Sequence, residues 1–146
     1  DYIGCIDDTC LATGELLPVK DTPFDFNKRK RIGQDLEADH IQLKNAFGYD
    51  HSFVLNGTEN QLTLEEPVSG RRLIISTTAP VVQVYTGNFL KDGCIGKAGR
   101  VYENREGVAL ETQLMPNAIN TEENPSTILR KGDKFESNTK YVFEII

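Results

Sequence analysis

Hydrophobic residues in this chain come in short runs separated by turns that contain glycine or proline. The runs are rich in Val, Ile, Thr, Tyr and Phe, which are the residues enriched in β-strands. The pattern predicts strands at Tyr2–Ile6, Leu16–Val19, Ser52–Leu55, Gln61–Glu65, Arg72–Thr77, Val81–Thr86, Val108–Leu114 and Lys140–Ile146. The Asn56-Gly57 pair between two apolar runs predicts a β-hairpin. Many short strands separated by turns indicate an all-β fold, either a sandwich or a barrel.

One segment departs from this pattern. Residues 33–46, with the sequence GQDLEADHIQLKNA, place Leu36, His40 and Leu43 on one side of a helix. The helical period is weak, so a short helix and an ordered loop are both compatible with it.

The composition narrows the classes of partner. A length of 146 residues suits one domain, and 38% hydrophobic with 26% charged residues is typical of a globular protein. The net charge of -6, without a basic block, argues against nucleic-acid binding. We also expect no membrane association, since no apolar run approaches the length of a membrane span.

Cysteines and glycines give little sign of a bound metal or cofactor. Cys5, Cys10 and Cys94 are odd in number and lack a metal-binding spacing, which predicts free thiols in a reducing compartment and hence a cytoplasmic protein. The glycine-rich residues 93–99 lack the Ser or Thr that follows the lysine of a nucleotide-binding phosphate loop. We therefore expect neither a metal nor an organic cofactor.

Three polar residues stand within or beside otherwise apolar strands. They are Asp50, Gln83 and Glu111. Such residues either face solvent separately or line one sugar-binding surface, where they would supply hydrogen bonds beside an apolar wall. Glu111 in particular either points to water or lines a sheltered pocket and moves a proton. His51 follows Asp50 directly and would point to the opposite face of a strand, so we expect a packed core histidine.

Several short motifs occur in an order that resembles a known family. They are Thr13-Gly14-Glu15, Thr22–Phe26, Gly48–Leu55, Ser69-Gly70-Arg71, Thr77–Pro80, Gln83–Phe89, Leu110–Gln113, Pro116–Asn120 and Pro125-Ser126. In this order they resemble the aldose 1-epimerases, or galactose mutarotases, over essentially the whole chain. The resemblance implies that residues 1–146 are the C-terminal half of a large antiparallel β-sandwich, without its N-terminal half. We therefore expect an exposed sheet edge where the other half would pair.

The resemblance also implies roles for individual residues. Glu111, in a Leu-Glu-Thr-Gln motif, matches the base that takes the proton from the anomeric hydroxyl. Asp50 and Gln83 match residues that bind the sugar. The histidine acid belongs to the absent half, and neither His40 nor His51 matches it. The implied activity is interconversion of the α and β anomers of aldohexoses such as galactose and glucose, and we expect the isolated chain to be inactive.

Departures from the family pattern leave alternatives open. Ser52 stands where Asn is common, and Val82 stands where Gly is common, which predicts a change in pocket shape beside Gln83. A non-catalytic sugar-binding or regulatory relative is one alternative, although a pure binder would not need Glu111. An epimerase of hexose 6-phosphates is another, but the Gln83–Phe89 motif fits unphosphorylated sugars better. A mutarotase domain within a larger fusion enzyme is a further alternative.

Overall fold

The computed structural model describes residues 1–91, 93, 95–121 and 127–146, so Cys94 and the Pro125-Ser126 motif lie outside the described residues. The strands are β1 (Tyr2–Ile6), β2 (Ala12–Pro18), β3 (Asp50–Val54), β4 (Leu62–Glu66), β5 (Arg71–Thr77), β6 (Val81–Tyr85), β7 (Ala109–Gln113) and β8 (Thr139–Ile145). Each predicted strand is confirmed, with shifts at its ends. The predicted all-β class is confirmed as well.

Within the described residues the strands form two antiparallel sheets. The larger has the order β2-β1-β3-β6-β7, and the smaller has the order β4-β5-β8. The hairpin predicted at Asn56-Gly57 is wrong, because β3 and β4 belong to different sheets. Gly57 has a φ of 70° and lies in the segment that carries the chain from one sheet to the other. Asn56 and Gly57 favour a turn at this position, but the strands before and after it pair with other strands and not with each other.

A compact aromatic and aliphatic core covers one face of the larger sheet. Its buried members are Ile3, Val19, Phe24, Leu36, Leu43 and Tyr49. The Phe24 ring contacts Tyr49 edge to face, with ring centroids 5.4 Å apart. Because strand side chains alternate between faces, burying this face leaves the other face of the sheet available for polar residues.

The predicted helical segment contains a helix only at its end. A 3₁₀ turn spans Ile32–Gln34, and helix α1 spans Ile41–Ala46. The Gln42 amide fixes α1 to the end of β1, because it accepts from Ile6 N at 2.8 Å and donates to Ile6 O at 2.9 Å. The helix ends at Phe47, whose φ of 56° is left-handed. In the described part of the chain, no helix has the length and apolar character to cross a membrane.

The smaller sheet has an exposed apolar edge. Strand β8 lies at this edge, and Tyr141, Phe143 and Ile145 alternate along it on one face. The Phe143 and Ile145 side chains are each 78% exposed. A long apolar edge strand is a template for pairing with further chain. That an N-terminal half of the protein pairs with this edge remains a prediction.

Candidate functional site

The strand register brings the three predicted site residues to one face of the larger sheet. Ser52 on β3 lies opposite Gln83 on β6, and Gln83 lies opposite Glu111 on β7. Asp50 precedes Ser52 by two residues and therefore shares its face. Directly opposed residues in antiparallel pairs have Cβ atoms roughly 4.5–5.5 Å apart. Asp50, Gln83 and Glu111 thus form one polar surface, although they are far apart in sequence.

A chain of hydrogen bonds runs across this polar surface. Gln83 Nε2 donates to Asp50 Oδ1 at 2.7 Å, and Ser52 Oγ donates to Gln83 Oε1 at 2.5 Å. An ionised carboxylate only accepts, so the Gln83 nitrogen must face Asp50 and its oxygen must face Ser52. Ser52 is 4% exposed, whereas Asp50 and Gln83 are half-buried. The Asp50 carboxylate therefore fixes the orientation of the amide, and the Ser52 hydroxyl, which can donate or accept, donates to the amide oxygen.

Glu111 is exposed, and its carboxylate has no hydrogen bond or ion pair to another described residue. The neighbouring residue Thr112 points to the opposite face of β7, where its Oγ1 lies 2.8 Å from Thr139 Oγ1 of the smaller sheet. Glu111 therefore points outward. The hydrogen bond between Thr112 and Thr139 ties the edge strand β7 to β8. The described residues therefore aim Glu111 along the polar surface but do not form the sheltered pocket considered from the sequence.

His51 faces the core, as expected from its position next to Asp50. Its side chain is 0% exposed, and its ring centroid lies 4.8 Å from that of Phe24. His51 Nδ1 accepts from the Asp50 backbone N–H at 3.1 Å. Burial, followed by the charge of His40, lowers the pKa of His51 to about 4. His51 is therefore neutral at pH 7 and points away from the polar surface.

A buried polar anchor fixes the β3–β6 register beside Asp50. The Thr86 backbone N–H donates to Tyr49 O at 3.0 Å. Asn88 Nδ2 donates to Ala46 O at 2.8 Å and to Tyr49 O at 3.1 Å. Gly48 has a φ of 143° and lies so close to Asn88 that a side chain would not fit there. The sequence patterns predicted no role for Thr86 and Asn88, although polar residues on either side of Gly87, directly after an apolar strand, could have indicated such an anchor.

Gly4 and Met115 close the polar surface on the side of β1. Ile3 pairs with Phe53, which places Gly4 beside Ser52. A Cβ atom on Gly4 would lie 3.0 Å from Met115 Sδ and 3.8 Å from Ser52 Cβ. Because Gly4 has no side chain, Met115 can pack over it, near Ser52.

Val82 does not reach the polar surface. It is 1% exposed and lines a cavity of about 440 Å³ between the two sheets, where the wall around Val82 is apolar. Other residues lining that cavity include Phe53, Leu62, Leu64, Val84 and Leu110, but not Asp50, Gln83 or Glu111. The predicted effect of Val82 on the pocket beside Gln83 is therefore not direct, because its side chain points to the opposite face of β6.

The chain that forms this polar surface is similar in sequence to one known protein family. A family model described as aldose 1-epimerase matches residues 1–142. The chain belongs to the aldose 1-epimerase family. It is 38% identical over 143 residues to the galactose mutarotase of Homo sapiens, covering 96% of this chain and 40% of that relative. It is 34% identical over 149 residues to the aldose 1-epimerase of Haemophilus influenzae, covering 99% of this chain and 43% of that relative.

Solved structures of similar proteins share the fold. The crystal structure of a GalM/aldose epimerase homologue from C. elegans matches with a TM-score of 0.87 and 30% identity, covering 100% of this chain and 44% of that chain. The crystal structure of galactose 1-epimerase from Lactobacillus acidophilus matches with a TM-score of 0.74 and 30% identity, covering 99% and 42%. The chain therefore spans less than half the length of these epimerases. The roles of Asp50, Gln83 and Glu111, and the assignment to the C-terminal half, remain predictions.

Proposed function

We propose that the full-length protein containing this chain is an aldose 1-epimerase that interconverts the α and β anomers of aldohexoses such as galactose and glucose. The observation that supports this most is the shared polar surface of Asp50, Gln83 and Glu111 in a chain of the aldose 1-epimerase family. A sugar laid on this surface would meet a hydrogen-bonded carboxylate–amide pair beside a second, unpaired carboxylate.

Glu111 acts as the general base in this proposal. Its carboxylate takes the proton from the anomeric hydroxyl, and the O–H electron pair forms the carbonyl while the C1–O5 bond breaks. The electron pair of that bond stays on O5, which is protonated by an acid of the N-terminal half. Rotation about C1–C2 and reclosure on the other carbonyl face return both protons, so the reaction needs no cofactor. General acid–base catalysis of this kind contributes about 10²–10⁴-fold.

Asp50 and Gln83 hold the sugar in position over the base. Among the described residues, Asp50 Oδ2 and the second hydrogen of Gln83 Nε2 have no hydrogen-bond partner. One offers an acceptor and the other a donor, which is what a pair of neighbouring sugar hydroxyls requires. Because the two groups are already bonded to each other, binding a sugar does not have to order them first.

The N-terminal half supplies both the acid and the cover over Glu111. A carboxylate in open water is a weak base, and removal from water favours its protonated form. Glu111 is exposed in this chain, so covering the polar surface would make it a better proton acceptor. The same reasoning predicts that residues 1–146 alone are inactive.

Polarimetry on freshly dissolved α-D-galactose tests this function. We expect the full-length protein to speed the change in optical rotation and the isolated chain to leave it at the uncatalysed rate. Glu111→Gln should lower the full-length activity at least about 100-fold. The matched control is Glu15→Gln, since Glu15 is an exposed glutamate on β2, at the opposite edge of the same sheet.

The outcomes distinguish the candidate functions. Full activity of Glu111→Gln would exclude Glu111 as the base. Activity of the isolated chain that disappears in Glu111→Gln would show that no second half is required. A full-length protein that binds galactose without changing the mutarotation rate would favour the non-catalytic sugar-binding alternative.

A further inference from the structure

We propose that Ser52 is a positioning residue that holds the Gln83 amide, and through it the Asp50 carboxylate, in the geometry for sugar binding. This inference rests on the proposed function, because it concerns the same polar surface. Ser52 itself would not contact the sugar. It would act through Gln83.

The Gln83 amide is held at both of its ends. At one end its Nε2 donates to Asp50 Oδ1, and at the other its Oε1 accepts from Ser52 Oγ. Asp50 alone decides which way the amide faces, since the inverted amide would set its oxygen against a carboxylate. A single hydrogen bond still permits rotation about that contact. The bond from Ser52 removes this freedom.

Ser52 is placed so that few other partners compete for its hydroxyl. It is 4% exposed, and the space beside it is filled by Met115, which packs over Gly4. Burial excludes water that would otherwise compete for the hydrogen bond. Gln83 Oε1 is therefore the acceptor that the strand register presents to Ser52, directly across from it on β6.

Loss of the Ser52 hydroxyl would leave a half-buried carbonyl oxygen without its donor. Such a group seeks water or another donor, and Gln83 would then sample orientations that do not serve Asp50. Removing one hydrogen bond of this kind changes binding by about 2–10-fold. We expect Ser52→Ala to lower kcat/KM for galactose by that factor, mainly through a higher KM.

A double-mutant cycle in the full-length protein separates positioning from a general structural role. The variants are Ser52→Ala, Gln83→Ala and the double variant, each assayed by polarimetry over a range of galactose concentrations. If Ser52 acts through Gln83, removing Ser52 has no further effect once Gln83 is absent, so the two effects are not additive. Ser52→Thr keeps a hydroxyl donor and should retain more of the kcat/KM than Ser52→Ala does.

Ser76→Ala is the matched control. Ser76 is also buried in a strand, and its Oγ accepts from Asn60 N at 2.9 Å, but it lies in the smaller sheet. Its loss should lower stability without changing KM. Additive effects of Ser52→Ala and Gln83→Ala, or an equal rise in KM for Ser76→Ala, would overturn the inference.

Calorimetric titration with galactose measures binding independently of catalysis, so it distinguishes a failure of this inference from a failure of the proposed activity. If the full-length protein binds galactose but does not epimerise it, the proposed activity fails and the same cycle is measured on the dissociation constant. Non-additivity there would still support the positioning role of Ser52. A protein with neither activity nor galactose binding would overturn both proposals.

Discussion

Neighbouring residues on β3 lie in opposite environments. His51 is 0% exposed and packs against the Phe24 ring, whereas Asp50 is half-buried and bonded to Gln83 on the polar surface. The Asp50 backbone N–H donates a hydrogen bond to the His51 side chain, at Nδ1. The alternation of a β-strand thus lets a single strand serve the core with one residue and a candidate site with the next.

Because the two faces of β3 differ in this way, substitutions on them should have different effects. The core face stabilises the fold by burying aromatic and aliphatic surface. The polar surface exchanges hydrogen bonds with water on unfolding, so its net contribution to stability is smaller. We therefore expect core-face substitutions to change the free energy of unfolding and polar-face substitutions to change kinetics.

The largest effect on the core face is expected for Phe24→Ala. Phe24 is 0% exposed and contacts the rings of His51 and Tyr49. Truncating such a side chain leaves a cavity and costs about 3–5 kcal/mol in the free energy of unfolding. Denaturant unfolding of the full-length protein measures this loss, with Phe24→Leu as a milder control. A loss no greater than that of Phe24→Leu would show that this core does not carry the stability assigned to it.

Acid should weaken the core face through His51. Its folded pKa of about 4 lies below the ordinary value of 6.5, so the unfolded chain binds more protons between these values. Stability contributed by neutral His51 is therefore complete above pH 6.5 and is lost as pH falls toward 4. At about 1.4 kcal/mol per pKa unit, the loss is about 3 kcal/mol.

A non-titrating variant isolates the contribution of His51 from that of the carboxylates. Glutamine retains a carbonyl oxygen that can accept the Asp50 N–H, so His51→Gln is the control. Between pH 6.5 and 4, its free energy of unfolding should fall less steeply than that of the parent protein. Parallel pH profiles for the two proteins would contradict the assignment, as would an NMR titration of His51 near pH 6.5.

Much of the fold could be predicted from the sequence because its signals are local. Strands such as Tyr2–Ile6 are marked by apolar alternation and bounded by turns. The pairing of those strands is not local, which is why the Asn56-Gly57 hairpin was wrong. Nothing near that turn indicates that β3 pairs with β6 and β4 with β5.

The candidate site shows the same division. Polar residues inside apolar strands were visible, but a common surface and separate solvent exposure remained equally compatible with the pattern. Only the register of β3, β6 and β7 brings Asp50, Gln83 and Glu111 together. Ser52 was noted only as a departure from the family, because its hydrogen bond depends on a residue 31 positions away. Long-range register is the information that single-sequence patterns lack.

The smallest predicted effect is that of Tyr49→Phe, which tests whether a change in the core alters the kinetics at the polar surface. Tyr49 directly precedes Asp50, is 0% exposed, and donates its hydroxyl to Pro23 O at 2.8 Å. Tyr49→Phe keeps the ring but removes that donor, so we expect a loss of about 1 kcal/mol in the free energy of unfolding. Because the hydroxyl lies in the core and bonds Pro23 O, kcat/KM for galactose should not change. Tyr141→Phe, at an exposed tyrosine of the smaller sheet, is the control and should change neither quantity. A drop in kcat/KM for Tyr49→Phe as large as that for Ser52→Ala would mean that strain in the core passes along β3 to Asp50, and the two faces could no longer be treated as separate.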